Sequence, residues 1–196
     1  MKRLLDFILS LFGLLILSPL FLLIGLLIII DDNGPVFFVQ ERIGRFGKPF
    51  VLYKFRSMKI NKTSNNNNFE PGNTTRVTKT GKYLRKTKLD ELPQLYNVLK
   101  GDLSLVGPRP EVRRWVDVYP ERWAKIHSIR PGITDNASIL FRNEEEILSK
   151  SADPEQTYME IILPTKLDLY ENYLKNHSFF GDIKLILKTV TTLVLK

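Results

Sequence analysis

A long apolar run opens the chain, and shorter alternating patterns follow it. Residues 4 to 30 are almost wholly apolar, and Asp31 and Asp32 end the run. About 27 helical residues at ~1.5 Å per residue exceed the ~30 Å hydrocarbon core of a bilayer, so the length predicts a membrane helix. A cleaved signal peptide is not expected, because the run is longer than the usual h-region and no small-residue cleavage site follows it.

A serine-proline pair divides this apolar run. Pro19 removes one backbone hydrogen bond and bends a helix, while the Ser18 hydroxyl can satisfy a freed carbonyl. A straight span with Lys2 and Arg3 inside the cell would place the following basic segment outside, against the positive-inside tendency. A helix that enters, bends at Ser18-Pro19 and returns would keep both ends in the cytoplasm. The residues alone leave the re-entrant and the spanning helix both open.

Alternating apolar and polar positions beyond the run predict a β-hairpin. The segments VFFVQ and FVLYKF have the composition of strands, and ERIGRFGKPF between them has the glycines of a turn. Gly44 and Gly47-Lys48 lack the spacing of a phosphate-binding loop, which favours the hairpin turn. The polar, low-complexity stretch from Asn61 to Thr75 predicts a surface loop.

The remaining patterns predict a mostly helical domain. A short helix is expected around Tyr83 to Lys86, and an amphipathic helix from Asp90, as its N-cap, to Gly101. LSLVGPRP indicates a short strand with a stiff turn, helices interrupted near Pro120 follow, and IRPGIT indicates a turn. The closing helix, Phe179 to Leu195, is expected to pack on the core.

These elements predict an α+β fold in two parts. Residues 1–31 form the membrane helix, and residues 32–196 form a compact, mostly helical cytosolic domain with a small β-hairpin or sheet, associated with the membrane. Trp115 and Trp123 have amphipathic rings of the kind found at interfaces.

Charge is distributed unevenly along the chain. The net charge of the 196 residues is +8, yet residues 42 to 88 carry thirteen Lys and Arg against one acidic residue. Such a block is typical of contact with polyanions: nucleic acid, anionic lipid headgroups or phosphorylated ligands. A solvated basic face without a ligand stays open as an alternative. The absence of cysteine excludes disulfides and thiolate metal sites.

An adjacent pair of carboxylates, Asp90 and Glu91, follows the basic block directly. At a predicted helix start such a pair commonly caps the helix and compensates its dipole. Arg85 and Lys88 lie within about one helical turn of the pair, which favours phosphate chemistry. On this feature alone, capping and catalysis both remain open.

The local geometry of the chain constrains three further cations. Lys54 and Arg56 should share one face of the second strand, because strand side chains alternate with period two. Arg109 stands between Pro108 and Pro110, which limits its backbone freedom and prepares its guanidinium for a phosphate or carboxylate.

Several motifs in a fixed order resemble one family. They are KRLLD with a central SP, PVFFVQERIG, YKFRSM, LRKTKLDELPQLYNVLKGDLSLVGPRPE, RPGIT and DIKLILKTV. Together they cover nearly the whole chain and resemble the bacterial sugar transferases of the monotopic phosphoglycosyl transferase type. The resemblance implies transfer of a sugar phosphate from a UDP-sugar to a polyprenol phosphate, usually undecaprenyl phosphate, with release of UMP.

The resemblance also implies roles for individual residues. Asp90 and Glu91 are the expected catalytic pair, with Asp90 as the nucleophile of a phosphosugar-aspartate intermediate. Mg²⁺ is the expected cofactor, with Asp90 as its protein ligand. The pair Ser18-Pro19 is the expected break of a re-entrant helix. The expected substrate-binding residues are Lys54, Arg56, Arg85, Pro108, Arg109 and Pro110.

The implied partners are a UDP-sugar donor, undecaprenyl phosphate and membrane lipid at the cytoplasmic face of the bacterial inner membrane, where the reaction would start a surface glycan. No nucleic acid is expected, because no nucleic-acid-binding motif is present. The oligomeric state is open, and a homodimer is one alternative. A second reading of another class is a membrane-anchored protein that binds anionic lipid without catalysis.

One region departs from the family pattern. Many members continue PGIT with glycine, whereas this chain has Asp135 there, followed by Arg142 and the run Glu144 to Glu146. A family role of this region in sugar selection is one interpretation, and we expect these residues to be surface charges. The donor sugar is therefore not identified by the resemblance.

Overall fold

The computed structural model describes residues 1–60 and 75–194, with the side chains of 193 and 194 omitted. These residues form a mostly helical α+β structure with two small two-stranded sheets, as predicted. They divide into two compact units, the first holding residues 1–40, 51–60 and 75–101 and the second residues 41–50 and 102–194. The division into residues 1–31 and 32–196 stays a prediction. The loop predicted from Asn61 lies, except for Thr75, outside the described residues.

The first unit contains the apolar helix, most of the hairpin and two short helices. Its elements are α1 Lys2–Asp31, β1 Phe37–Ile43 and β2 Pro49–Phe55, whose turn ends belong to the second unit, and then α2 Lys79–Thr87, a 3₁₀ turn Leu89–Glu91 and α3 Gln94–Lys100. The predicted hairpin is confirmed, because β1 and β2 pair with each other. Its turn is a 3₁₀ segment, Arg45–Gly47.

Helix α1 is the apolar helix that the sequence predicts. Within the described residues it is the one helix long and apolar enough to cross a membrane, a criterion of length and composition only. It continues through Pro19, and the Ser18 hydroxyl donates a 2.8 Å hydrogen bond to the Leu15 carbonyl, as expected for a serine beside a proline. The re-entrant topology stays a prediction.

One face of α1 packs against the rest of the first unit. Ile24 and Ile28 form a small core with Phe55 and Leu84. At the other end of the helix, Arg3 donates hydrogen bonds to carbonyl oxygens at the end of α3, among them that of Leu99 at 2.8 Å. Both ends of α1 therefore contact the same compact unit.

The helix predicted to start at Asp90 is wrong in its first turn. Lys88 adopts a left-handed conformation, φ 59°, which ends α2, and Asp90 then lies inside a 3₁₀ turn without capping any helix. Pro93 has no N–H to donate to Leu89, whose carbonyl instead accepts from Leu92 at 3.2 Å. Helix α3 begins only after the proline, and Gly101 ends it at φ 102°, as predicted.

The second unit is built from short helices around a two-stranded parallel sheet. Its elements are β3 Ser104–Val106, α4 Arg113–Val116, α5 Pro120–Ile126, β4 Gly132–Thr134, α6 Asn136–Leu140, α7 Glu144–Ser149, α8 Pro154–Thr157, a π-helical turn Tyr158–Ile162, α9 Leu163–Asn176 and α10 Phe179–Val194.

The turn predicted for IRPGIT is wrong, because its last three residues form β4. Strand β4 pairs parallel with β3, with Ser104 opposite Gly132 and Val106 opposite Thr134. A side chain at Gly132 would collide with the backbone of Gly107. The missing Cβ therefore lets the two backbones approach closely enough to pair.

The core of the second unit also corrects the expectation for the tryptophans. Trp115 and Trp123 are only 2% and 1% exposed, so they are core residues whose rings do not lie at the surface. Their rings pack against Tyr158 and Tyr170 at centroid distances of 4.8 and 6.0 Å. Burying such large rings contributes strongly to the stability of a small unit. Helix α10 packs Leu185 into its surroundings, as predicted for the closing helix.

Candidate active site

The carboxylate pair lies in the 3₁₀ turn between α2 and α3. Asp90 is 8% exposed, and its Oδ1 atom is buried without a hydrogen-bond partner. Burial raises the pKa of Asp90 above its ordinary value, and the charge of Glu91 adds to the rise. The charges of Lys54, Lys88 and Arg85 act in the opposite direction. A buried carboxylate oxygen without a hydrogen bond is costly to keep, which marks Asp90 as a candidate functional group.

Glu91 differs from its neighbour because it has a direct partner. Its Oε1 atom accepts a hydrogen bond from Lys54 Nζ at 3.0 Å, and both side chains are largely buried. This ion pair brings β2 to the 3₁₀ turn. The structure therefore joins Lys54 to the carboxylate pair through Glu91, while its predicted contact with substrate stays a prediction.

Arg85 and Lys88 complete the positive surroundings of Asp90. Both charges lower the pKa of Asp90, so both lie close enough to stabilise its ionised form. Lys88 is not among the predicted substrate-binding residues, although it stands only two positions before Asp90. Its left-handed backbone ends α2 there.

Arg56 has a different partner from Lys54. Its Nη1 atom lies 2.7 Å from Asp32 Oδ2, and its Nη2 atom donates to the Asp32 carbonyl. Strand β2 ends at Phe55, so the alternation that predicted a shared face for the two cations no longer applies at Arg56. In the first unit Arg56 holds the segment just after α1, and its predicted contact with substrate remains untested.

The corner Pro108-Arg109-Pro110 belongs to the second unit. It follows β3, and Arg109 is partly exposed. Burial raises the pKa of Asp135 and of Tyr170, and the charge of Arg109 opposes both rises, which places the guanidinium near both side chains. Its predicted role in substrate binding remains a prediction.

Asp135 is not the surface charge expected from the sequence. It is buried, and its carboxylate accepts hydrogen bonds from the backbone N–H and the hydroxyl of Ser138 at 2.9 and 2.6 Å. Burial nevertheless raises the pKa of Asp135. The residue caps α6, a role that an aspartate directly before a helix can fill without any ligand.

A buried polar network around Glu111, the residue after Pro110, was not predicted from the sequence. Glu111 accepts hydrogen bonds from Arg42 at 3.0 Å and from the Tyr158 hydroxyl. Lys166 Nζ lies 3.4 Å from the same hydroxyl and 2.6 Å from Glu144. Burial opposes ionisation of Glu111, but Arg42, Lys166 and Tyr158 outweigh it, so its pKa lies below the ordinary value. The only local signal was the glutamate that ends the motif GPRPE.

The carboxylate oxygens at Asp90 and Glu91 determine whether this site can hold Mg²⁺. Among the described residues, no group of three or more His, Cys, Asp or Glu side chains could hold a metal ion. Mg²⁺ often needs only one or two protein carboxylates, with substrate phosphates and water completing its octahedron. Asp90 and Glu91 are adjacent oxygen donors, and Asp90 Oδ1 has no other partner. The residues present therefore fit a Mg²⁺ ion that is held jointly with a phosphorylated substrate.

The whole chain matches one family model. That model, described as bacterial sugar transferase, covers residues 1–196. Among individual proteins, an uncharacterized sugar transferase, EpsL, of Bacillus subtilis (strain 168) is 41% identical over 190 residues, which cover 97% of this chain and 85% of that protein.

Two further relatives have descriptions that state substrates. A UDP-N-acetylgalactosamine-undecaprenyl-phosphate N-acetylgalactosaminephosphotransferase of Aeromonas hydrophila is 37% identical over 196 residues. A UDP-glucose:undecaprenyl-phosphate glucose-1-phosphate transferase of Escherichia coli (strain K12) is 36% identical over 198 residues. These alignments cover 98% and 97% of this chain but 43% and 39% of the two relatives. The chain thus spans less than half the length of both.

Proposed function

This chain belongs to the bacterial sugar transferase family, and from that premise we propose that it moves a sugar 1-phosphate from a UDP-sugar to undecaprenyl phosphate and releases UMP. The descriptions of the Aeromonas and Escherichia relatives, both undecaprenyl-phosphate sugar-phosphate transferases, support this reaction class. The two differ in the sugar, so the donor sugar of this chain stays open. The product would start a surface glycan at the cytoplasmic face of the inner membrane.

The proposal rests on the burial, the hydrogen bonding and the charged surroundings of Asp90. The carboxylate is buried, has one oxygen without a partner and lies among the charges of Lys54, Arg85 and Lys88. A phosphorylated ligand would meet those cations, while the carboxylate would be desolvated and hence more reactive towards phosphorus.

We propose a covalent mechanism in two displacements. An Asp90 oxygen attacks the sugar-bearing phosphorus of the UDP-sugar, and the bond from that phosphorus to UMP breaks, with the electron pair leaving on the UMP phosphate. An oxygen of undecaprenyl phosphate then attacks the same phosphorus, and the bond to Asp90 breaks, which restores the carboxylate. Two bulky anionic substrates can therefore use one site in turn.

The cations of the first unit would offset like-charge repulsion in both steps. A carboxylate that approaches a pyrophosphate is repelled by it, and fixed positive groups lower that barrier. Losing one such contact costs about 3 kcal/mol in the barrier. Lys54 has a second task, because its bond to Glu91 offsets part of the repulsion between Glu91 and Asp90.

Mg²⁺ fits the proposal as a cofactor held by Asp90, with Glu91 as a second oxygen donor. When bound, it would neutralise charge on the pyrophosphate and on the departing UMP. Lys54 would keep a role of its own, because its hydrogen bond to Glu91 Oε1 holds that carboxylate in place.

The packing of α1 supports the re-entrant topology as part of the proposal. Arg3 at one end bonds the end of α3, and Ile28 at the other end packs with Leu84, both within the first unit. A straight span would carry part of that unit into the hydrocarbon, whereas a helix that bends at Ser18-Pro19 and returns would not. Because the chain has no cysteine, a single one introduced at Lys2 should react with cytoplasmic but not periplasmic reagents.

The alternative function, binding of anionic lipid without catalysis, explains less. It accounts for the apolar helix and for the basic residues near it. It gives no reason to bury an Asp90 oxygen without a hydrogen bond beside three cations, because that buried acceptor costs stability.

The deciding experiment measures UMP release. The full chain in detergent or nanodiscs is incubated with Mg²⁺, undecaprenyl phosphate and a panel of UDP-sugars. We expect one or more sugars to give UMP and a lipid-linked sugar diphosphate in equal amounts. No UMP from any sugar of a broad panel would contradict the transferase proposal, and vesicle binding without turnover would favour the lipid-binding alternative.

A further inference from the structure

Among the buried side-chain atoms of the first unit that lack a hydrogen-bond partner, two are close in the chain and have opposite characters. Asp90 Oδ1 is an acceptor, and Gln94 Nε2 is a donor. Gln94 is 1% exposed, so water cannot readily satisfy its amide. An unpaired donor and an unpaired acceptor in one small unit can form a hydrogen bond with each other if their side chains come together.

The spacing of the two residues in the chain allows a hydrogen bond between their side chains. Asp90 and Gln94 are four residues apart, and the residues between them that the structure gives torsion angles for, Leu92 and Pro93, are in the right-handed helical region. Side chains at this spacing on a helical backbone are neighbours, and Gln with Asp is a known hydrogen-bonding pair there. The two side chains are therefore close enough in the chain for a change of side-chain torsions to bring them together.

A second buried amide on α3 shows what a purely structural amide looks like in this unit. Asn97 Oδ1 accepts from the Tyr53 backbone N–H at 3.1 Å, and its Nδ2 donates to the Val51 carbonyl at 2.7 Å. Asn97 thus ties α3 to β2 with both ends of its amide. Gln94, three residues earlier on the same helix, has no bond from its Nε2 atom to any structural partner.

We propose that Gln94 is a positioning residue for the nucleophile: in the reacting enzyme Nε2 donates to Asp90 Oδ1 and leaves Oδ2 to attack phosphorus. This inference rests on the proposed function. Hydrogen bonds of catalytic groups are commonly long without substrate and tighten in the reacting complex. The bond would fix the rotation of the carboxylate, so that one defined oxygen faces the sugar-bearing phosphorus.

The test compares Gln94→Leu with Asn97→Leu in the full chain, using a UDP-sugar that the wild type accepts. Gln94→Leu removes an unpaired donor and keeps most of the buried volume, so the unfolding temperature should not fall. We expect kcat to fall about 10- to 100-fold, with KM for the UDP-sugar within about twofold of wild type. Asn97→Leu breaks two satisfied bonds, so its unfolding temperature should fall clearly. Gln94→Met is the second variant if the branched leucine prevents folding.

Each outcome of this comparison supports or contradicts the positioning role of Gln94. A kcat of wild-type size in Gln94→Leu or Gln94→Met overturns the inference and leaves the proposed function intact. A raised KM with unchanged kcat also overturns it, because Gln94 would then bind substrate directly. A fall in unfolding temperature as large as that of Asn97→Leu would make Gln94 a structural residue. If the wild type itself releases no UMP, the proposed function fails, and the inference fails with it.

Discussion

Two carboxylates, one in each compact unit, are buried to almost the same extent but differ in their hydrogen bonds and in the direction of their pKa shifts. Asp90 is 8% exposed and Glu111 7%. Asp90 Oδ1 has no partner and the pKa of Asp90 is raised, first by burial. Glu111 bonds Arg42 and Tyr158, and although burial opposes it, its pKa is lowered. Burial alone therefore does not tell what a carboxylate does; its partners do.

The largest expected effect separates the two carboxylates by activity. Asp90→Asn should lower the rate of UMP release by at least about 1,000-fold, because the amide cannot act as the nucleophile. The unfolding temperature should stay equal or rise, since the ionised form of Asp90 is disfavoured by burial in the folded chain. UMP release and thermal unfolding of the same preparation check both. Near-normal UMP release would rule out Asp90 as the nucleophile.

The converse substitution should affect stability. Glu111→Gln removes the negative charge that Arg42 and Lys166 both face, and Arg42 loses the carboxylate that it bonds. We expect a loss of roughly 4 kcal/mol in the free energy of unfolding. Urea unfolding measures it, with Glu121→Gln on the exposed surface as the matched control, expected within about 0.5 kcal/mol of wild type. Equal stability of the two variants would contradict a structural role for Glu111.

Acid should weaken the second unit through His127. Burial, with a contribution from Arg113, lowers the pKa of His127 from 6.5 to about 4, so the folded chain keeps the ring neutral. The unfolded chain takes up the proton at higher pH, and stability is therefore lost as pH falls from 6.5 towards 4, by roughly 3 kcal/mol. Urea unfolding across this range should show the loss.

The matching variant isolates that effect. His127→Phe keeps a ring for the stacking on Trp123, whose centroid lies 5.1 Å away, and removes the titrating group. Its stability should vary less between pH 6.5 and 4 than that of the wild type. An unchanged pH dependence in His127→Phe would exclude His127 as the source.

Glu111 adds a sensitivity to acid at lower pH. The stability that comes from its lowered pKa is present above about pH 4.3 and is lost as the pH falls below that value.

The smallest expected effect sharpens the role of the partners of Glu111. Tyr158→Phe removes the hydroxyl that donates to Glu111 and leaves the ring packed on Trp115. We expect a loss of about 2 kcal/mol in the free energy of unfolding, less than for Glu111→Gln. Turnover per folded molecule should remain that of wild type, which UMP release at low temperature measures. A specific loss of turnover would mean that the network serves catalysis as well as stability.

Local elements were predictable where their physical cause is local. The length of α1, the β1–β2 hairpin and the end of α3 at Gly101 follow from apolar length, alternation and a left-handed glycine. The pairing of Glu91 with Lys54 was not specified, but both residues were selected, because the motifs that contain them are characteristic of the family. The N-cap at Asp90 failed because Pro93 shifted the helix start, a competition within a few residues.

What the sequence by itself determined is therefore the family, the α+β class, the membrane-length helix and the position of the carboxylate pair in the chain. Only the tertiary structure decided which polar groups have partners. Arg56 bonds Asp32, Asp135 is buried under α6, and Gln94 has a donor without an acceptor. These outcomes depend on side chains that come together from distant parts of the chain, and on burial that removes water as the alternative partner, so no local spacing encodes them. The same physics makes Asp90 distinct: its motif could be located in the sequence, but its unpaired oxygen is a property of the fold.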